Sequence, residues 1–110
     1  MATIMPVVKN TRKFVTEVEW TGNSTDTLSP YVFRGVVPLD VSCQVVGGTL
    51  DVYGSMKEDG SNPDVLKDDQ GSSLLAIADG VISTIATRVS TINPSLVTGT
   101  GASVVIVIRR

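Results

Sequence analysis

Histidine is absent from this 110-residue chain. With it go the commonest general base, the commonest metal ligand and any Ser-His-Asp or Cys-His arrangement. A single cysteine, Cys43, excludes an intrachain disulfide. Aromatic side chains are few, Phe14, Trp20, Tyr31, Phe33 and Tyr53, so a core has to be filled mainly by Val, Ile and Leu, which suits sheets. Neither sign of charge dominates: 9 basic against 11 acidic residues give a net charge of -2. That balance lacks the cationic footprint that a phosphate backbone requires, and nucleic acid is not an expected partner. Long hydrophobic runs are missing as well. The most apolar, Val104 to Ile108, is far shorter than a bilayer span, and Met1 to Val8 lacks the basic start and apolar stretch of a secretory signal. The expectation is a protein made and assembled in a cytoplasm, without a membrane partner.

What is present is β patterning. Val41, Cys43 and Val45 alternate with Ser42 and Gln44, and Leu50 and Val52 alternate with Asp51 and Tyr53. Between them stands Gly47-Gly48, which tolerates the positive φ angles of a tight turn, so the stretch is expected to form a hairpin. Arg12 to Trp20 reads as a strand with Phe14, Val18 and Trp20 on one face and Val15, Glu17 and Glu19 on the other. Tyr31 to Val37 reads as a second strand, after a polar loop from Thr25 to Pro30. Residues 74–89 fit two patterns: helical spacing of Leu74, Ile77, Ala78, Val81, Ile82, Ile85 and Val89, or two short strands around Asp79-Gly80. The abundance of Ile, Val and Thr favours the strands, with a helical turn as the alternative. Thr98-Gly99-Thr100-Gly101 reads as a flexible turn. Val104 to Ile108 is apolar without alternation, so the terminal strand lies centrally or meets a partner with its outer face. Length and composition allow one domain over residues 11–110, preceded by an extended arm over 1–10 that becomes ordered against something else. About seven short strands separated by turn signals predict an all-β fold, a small antiparallel sandwich or jelly roll.

Tests for chemistry come back empty. Glu58, Asp59, Asp64, Asp68 and Asp69 cluster along the sequence, but loop carboxylates ordinarily serve turns and solubility. Their spacing does not match an EF-hand loop, since Gly60 follows Asp59 at once and no distal Glu is present. Gly47-Gly48 leads into a strand and no Gly-Lys-Thr or Gly-Lys-Ser follows, so there is no phosphate loop. Asn23-Ser24-Thr25 matches a glycosylation acceptor at the level of chance. Cys43 shares a strand face with Val41 and Val45, where a small buried thiol is ordinary. Trp20 and Tyr31 are the residues that could stack on a sugar, although a lone Trp on an apolar strand face is more often core.

From Val41 onward the order of residues resembles a family of small bacteriophage virion proteins. The shared elements are Gly47-Gly48-Thr49-Leu50-Asp51-Val52-Tyr53-Gly54-Ser55, then Asp59-Gly60, Leu66, Asp68 and Gly71. Further on come Asp79-Gly80-Val81, Arg88, Ile92-Asn93-Pro94, Val97-Thr98-Gly99 and the β-rich run into Arg109-Arg110. Where the family usually carries a Trp after the Asp-Gly turn, this chain has Asn62-Pro63-Asp64-Val65. The resemblance implies a β-sandwich virion component, a capsid decoration or cement protein.

The expectations are therefore these. The chain is a non-enzymatic viral structural protein on the capsid surface, with no catalytic, cofactor or metal residues. Its partners are the major capsid protein and its own copies, as a dimer or trimer. The candidate interface residues are Ile4, Pro6, Val7, Val8, Arg109 and Arg110, with the N-terminal arm adding to a neighbour by strand pairing. The alternatives are a neck or tail location and a carbohydrate-binding module on the virion that uses exposed aromatics and loop carboxylates.

Overall fold

A computed structural model of the chain describes residues 2–12, 14–33, 38 and 40–110. Nine strands follow one another: β1 (Thr3–Ile4), β2 (Val7–Thr11), β3 (Val15–Gly22), β4 (Thr27–Leu28), β5 (Tyr31–Val32), β6 (Asp40–Ser55), β7 (Asp64–Val65), β8 (Ile82–Thr84) and β9 (Thr91–Arg109). No helix occurs among the described residues, so the fold is all-β, as the patterning predicts. Seven strands form one sheet in the order β2-β3-β9-β6-β7, with β5 paired to β9 and β8 paired to β6. β1 and β4 make a separate parallel pair.

Two strands are much longer than the sequence suggests. β9 has 19 residues and β6 has 16. Extended straight, 19 residues would span about 60 Å, yet the longest dimension of the molecule is 34 Å. The β6–β9 ribbon therefore bends back on itself and supplies both layers of the sandwich. One layer is β2-β3-β9-β6-β8, using Asp40–Val46 and Ser103–Arg109; the other uses Gly48–Ser55 and Thr91–Gly99 with β5 and β7 at its flanks.

The bend sits at the glycines, and this corrects the expected hairpin. Gly47 does not turn the chain round. It has φ +91° inside a continuous strand, at a register shift between Val46 and Gly48. Opposite it, Thr98 to Gly101 is likewise part of β9 and not a free turn, with Gly99 at φ 138° and Gly101 at φ 62°. A Cβ on Gly48 would lie 2.1 Å from the Thr98 carbonyl oxygen, so the two backbones touch here. Local glycine chemistry permits a hairpin or a bulge equally; the presence of a second long strand across the sheet decides for the bulge. The register shifts put the extra residues in β9, and across them the buried parity of β6 changes from Val41, Cys43 and Val45 to Leu50, Val52 and Gly54, so both halves face one core.

That core joins both layers. Val18, Trp20, Cys43, Val45, Val104, Ile106 and Ile108 come from the first, and Leu50, Val52, Ile92 and Leu96 from the second, closed off by Leu66, Leu74 and Ile85 from the connections. β9 is central, between β3 and β6, as expected of an apolar terminal strand.

Other expectations shift. Val18 and Trp20 are buried in β3, but Phe14 precedes the strand and is 57% exposed. The strand expected over 31–37 is present as Tyr31–Val32, and 34–37 lie outside the described residues. In 74–89, Asp79-Gly80 is a turn, but only its far side is a strand, β8. The near side makes a single bridge, Leu50 to Ile77. The N-terminal segment is extended, but it is not a loose arm. β1 is held against β4 by Thr27 N–H to Ala2 C=O and Ser29 N–H to Ile4 C=O, both 2.8 Å, and β2 pairs antiparallel with β3. β1 and the inner edge of β2 thus find backbone partners within the chain.

Candidate functional site

The loop carboxylates are turn residues. Asp59 accepts the backbone N–H of Ser61 at 2.9 Å, which holds its carboxyl below the usual carboxylate range. Asp68 accepts from both Gln70 N–H and Ser72 N–H at 2.9 Å. Asp64 accepts the N–H of Val65 at 2.8 Å. Asp59 and Asp68 thus do the local work for which Asp is favoured in turns, while Asp64 opens β7. Among the described residues, no three Cys, Asp or Glu side chains converge to hold one ion.

The aromatics are equally committed. Trp20 is fully buried and its Nε1–H donates to the Ser29 carbonyl at 2.8 Å, so it presents no face to a sugar. Tyr31 is half-buried, with Phe33 edge-on at 5.9 Å between ring centroids. The glycan reading loses its principal residue. Cys43 is buried in the core, and loss of water around the thiol pushes its pKa up to about 11, against a smaller lowering by a backbone hydrogen bond at Ser83. It is a packing residue with no thiolate character at neutral pH.

The six candidate interface residues do not form one group. Val7 and Val8 lie together on β2, a strand whose outer edge no other described strand pairs. Both are exposed, whereas Ile4 and Pro6 are half-buried and Ile4 packs against the core. Arg109 pairs with Val15, four residues along β3 from the Glu19 that pairs with Val7. That places the two sets about 13 Å apart along the strand direction. Arg109 makes an ion pair with Asp40 at 3.1 Å, and Arg110 donates to the Thr16 hydroxyl at 3.1 Å.

The β2 edge also carries devices that blunt strand addition: Pro6 just before it, a register shift between Val8 and Asn10, and Lys9 in its middle, bound to Glu19 at 3.2 Å. The Ser103 hydroxyl also donates to Glu19, and this bond is the main cause of a lowered Glu19 pKa. An edge guarded in this way is better suited to side-chain contact than to templating a long new strand.

Sequence reasoning missed several exposed apolar residues. Met5 and Phe14 flank β2, so four of the ten large exposed hydrophobics among the described residues fall between residues 5 and 14. Val46 and Ile82 are exposed on the outer face of the first layer. The alternation that buries Val45 places Val46 outward, a signal legible in the sequence; Ile82 could not be placed until its pairing with Gln44 was known. An open-sided cleft of about 190 Å³ is lined among others by Phe33, Val41, Ile85, Arg88 and Ile92. Its walls come from separate segments, which no local motif joins.

No family model and no curated protein matches the chain. Solved structures do resemble it in fold. An RmlC-like cupin protein from Desulfovibrio desulfuricans is similar with a TM-score of 0.57 at 11% identity, over 97% of this chain and 82% of that one. A cupin domain from Bordetella pertussis Tohama I gives 0.50 at 15% identity, over 98% and 93%. The SPBc2 prophage-derived protein YomS gives 0.53 at 12% identity, over 93% of this chain and 100% of that one. The architecture is thus a cupin-like jelly roll, one form of which also occurs in a prophage-derived protein.

Proposed function

We propose that this chain is a non-enzymatic structural protein of a bacteriophage virion, a decoration or cement protein that binds the outer surface of the head and bridges major capsid subunits. The observation that carries the reading is the concentration of exposed apolar side chains, Met5, Val7, Val8 and Phe14, on the β2–β3 hairpin at an open edge of the sheet. Exposed apolar side chains gathered along one open edge suit contact with a partner. The order of residues from Val41 to Arg110 supports the virion assignment. Likeness of fold to the prophage-derived YomS over its whole length agrees with it, although fold alone does not carry function. Double-sheet jelly rolls serve viral capsid and lectin domains as well as cupins.

In this reading Ile4 and Pro6 shape the contact from beneath and Val7 and Val8 bury apolar area against the capsid. Arg109 and Arg110, at the far end of β3, reach a second subunit. The test is to mix the purified protein with expanded capsids lacking it and with tail particles, and to image occupancy by electron microscopy. Regular density over the head lattice is the expected result. Density only at neck or tail moves the protein to that location, and binding to neither overturns the virion reading.

A further inference from the structure

The outer face of the first layer is complementary to itself. Cross-strand register places Val7, Glu19, Val105, Gln44 and Ile82 in one row across β2, β3, β9, β6 and β8. The next row runs Glu17, Val107, Ser42, Thr84, and the row on the other side Thr21, Ser103, Val46. Residues directly opposite in an antiparallel pair share a face. Because Val18, Trp20, Cys43, Val45, Val104 and Ile106 point to the core, these rows all point away from it. In the two rows through Val105 and Val107 each column has its own chemistry: carboxylates on β3, valines on the central β9 and neutral hydrogen-bonding groups on β6, with Val7 at 54% exposure and Ile82 at 70% closing the ends of the first.

From this pattern we infer that two copies of the chain pack these faces together about a two-fold axis running along β9. Such an axis leaves β9 over its own copy and exchanges β3 with β6 and β2 with β8. Val105 then meets Val105 and Val107 meets Val107. Val7 meets Ile82 of the second copy. Glu19 and Glu17 lie over Gln44 and Ser42, which have hydrogens to donate. The receiving groove is already formed: about 150 Å³, lined by Ser42, Gln44, Ile82, Val105, Val107 and Arg109. Arg109, held by Asp40 at 3.1 Å, lies over its own copy at the end of β9. Five strands about 4.8 Å apart and three rows deep give about 500 Å² of flat area per copy, a substantial part of the ~800 Å² per partner of a standard interface. This dimer takes up Val7, while Val8, which pairs with the core-facing Val18 and so lies on the other face of β2, stays available for a capsid contact. The inference does not depend on the virion reading.

The test is sedimentation equilibrium of the whole chain with matched variants. The unaltered protein is expected to be a dimer. Ile82→Arg, at an exposed position that costs the fold little, raises the dissociation constant at least tenfold. Gln44→Glu does the same by facing Glu19, and adding Glu19→Gln to it restores the dimer, because the exchanged pair is the original pair reversed. Far-ultraviolet circular dichroism confirms that each variant is folded. A monomer, a trimer, or a dimer indifferent to Ile82→Arg and Gln44→Glu overturns the inference.

Discussion

The two halves of the β6–β9 ribbon use the same kind of sequence to different ends. In the first layer, β3 pairs with β9 through eight consecutive residues and β6 pairs with β9 from Asp40 to Val46 without a shift, leaving a broad outer face bare. In the second, a shift between Thr49 and Leu50 interrupts the ladder, and the neighbours are two-residue strands and single bridges. Those neighbours are tied on by carboxylates: Asp51 accepts the N–H of Ala76 at 2.7 Å, and Asp68 closes the turn before Ser73. Asp79, from the same connection, accepts the N–H of Gly47 at the bend itself at 2.9 Å. One half spends its surface on its own connections, and the other keeps its surface available for a partner.

The largest way to break this division is Trp20→Ala, which empties the first layer's side of the core. Its cost is expected to be about 3–5 kcal/mol, read as a lowered denaturation midpoint at unchanged slope. A midpoint close to that of the unaltered chain would mean that the layers do not share one core.

Gly48→Ala tests the bend. The added methyl meets a backbone carbonyl at 2.1 Å, which cannot rotate away, so the loss should reach about 3 kcal/mol, the upper end of overpacking costs. Gly71→Ala meets nothing within 4 Å and bears only the strain of φ +82°, about 1 kcal/mol. Equal melting of the two variants would contradict a hinge made by contact between β6 and β9.

Asp51→Ala probes the second layer alone. Ala76 sits at φ 51°, unusual for a residue with a Cβ, and loses the acceptor that holds its N–H. A cost of about 1 kcal/mol is expected. Hydrogen exchange should quicken around Leu74 to Ile77 and stay unchanged in β3.

Acid sharpens the comparison least. Asp26, Asp59 and Glu19 are all held below their ordinary pKa, Asp26 chiefly by the N–H of Asn23 and then of Ala2. A depressed folded pKa gives stability that is present above the unfolded value and lost as pH falls through the folded one. The melting temperature should therefore be flat between about pH 5 and pH 8 and decline below about pH 4. The first change by exchange should be loosening of β1 from β4, since Asp26 tethers Ala2. A melting temperature that rises on acidification would refute the assignment.

The sequence determined a good deal by itself. Alternation made the chain all-β, because period-two burial has no helical solution. It placed Val18, Trp20, Val41, Cys43 and Val45 inside and made Asp59 and Asp68 turn residues, since those outcomes depend on near neighbours. It left the apolar terminal run either central or covered by a partner, and pairing with β3 and β6 made it central. What only the tertiary structure decided was non-local. Gly47-Gly48 has the same φ freedom in a hairpin as in a bulge, and the choice fell when Thr98 to Gly101 arrived opposite it from fifty residues away. Segment 3–11 is extended in either case, but its pairing with β4 and β3 fixed it within the chain. The self-complementary face exists only once five strands are in register, because Val7, Glu19, Val105, Gln44 and Ile82 share no local pattern. Their alignment comes from cross-strand hydrogen bonds, which no single stretch of sequence can specify alone.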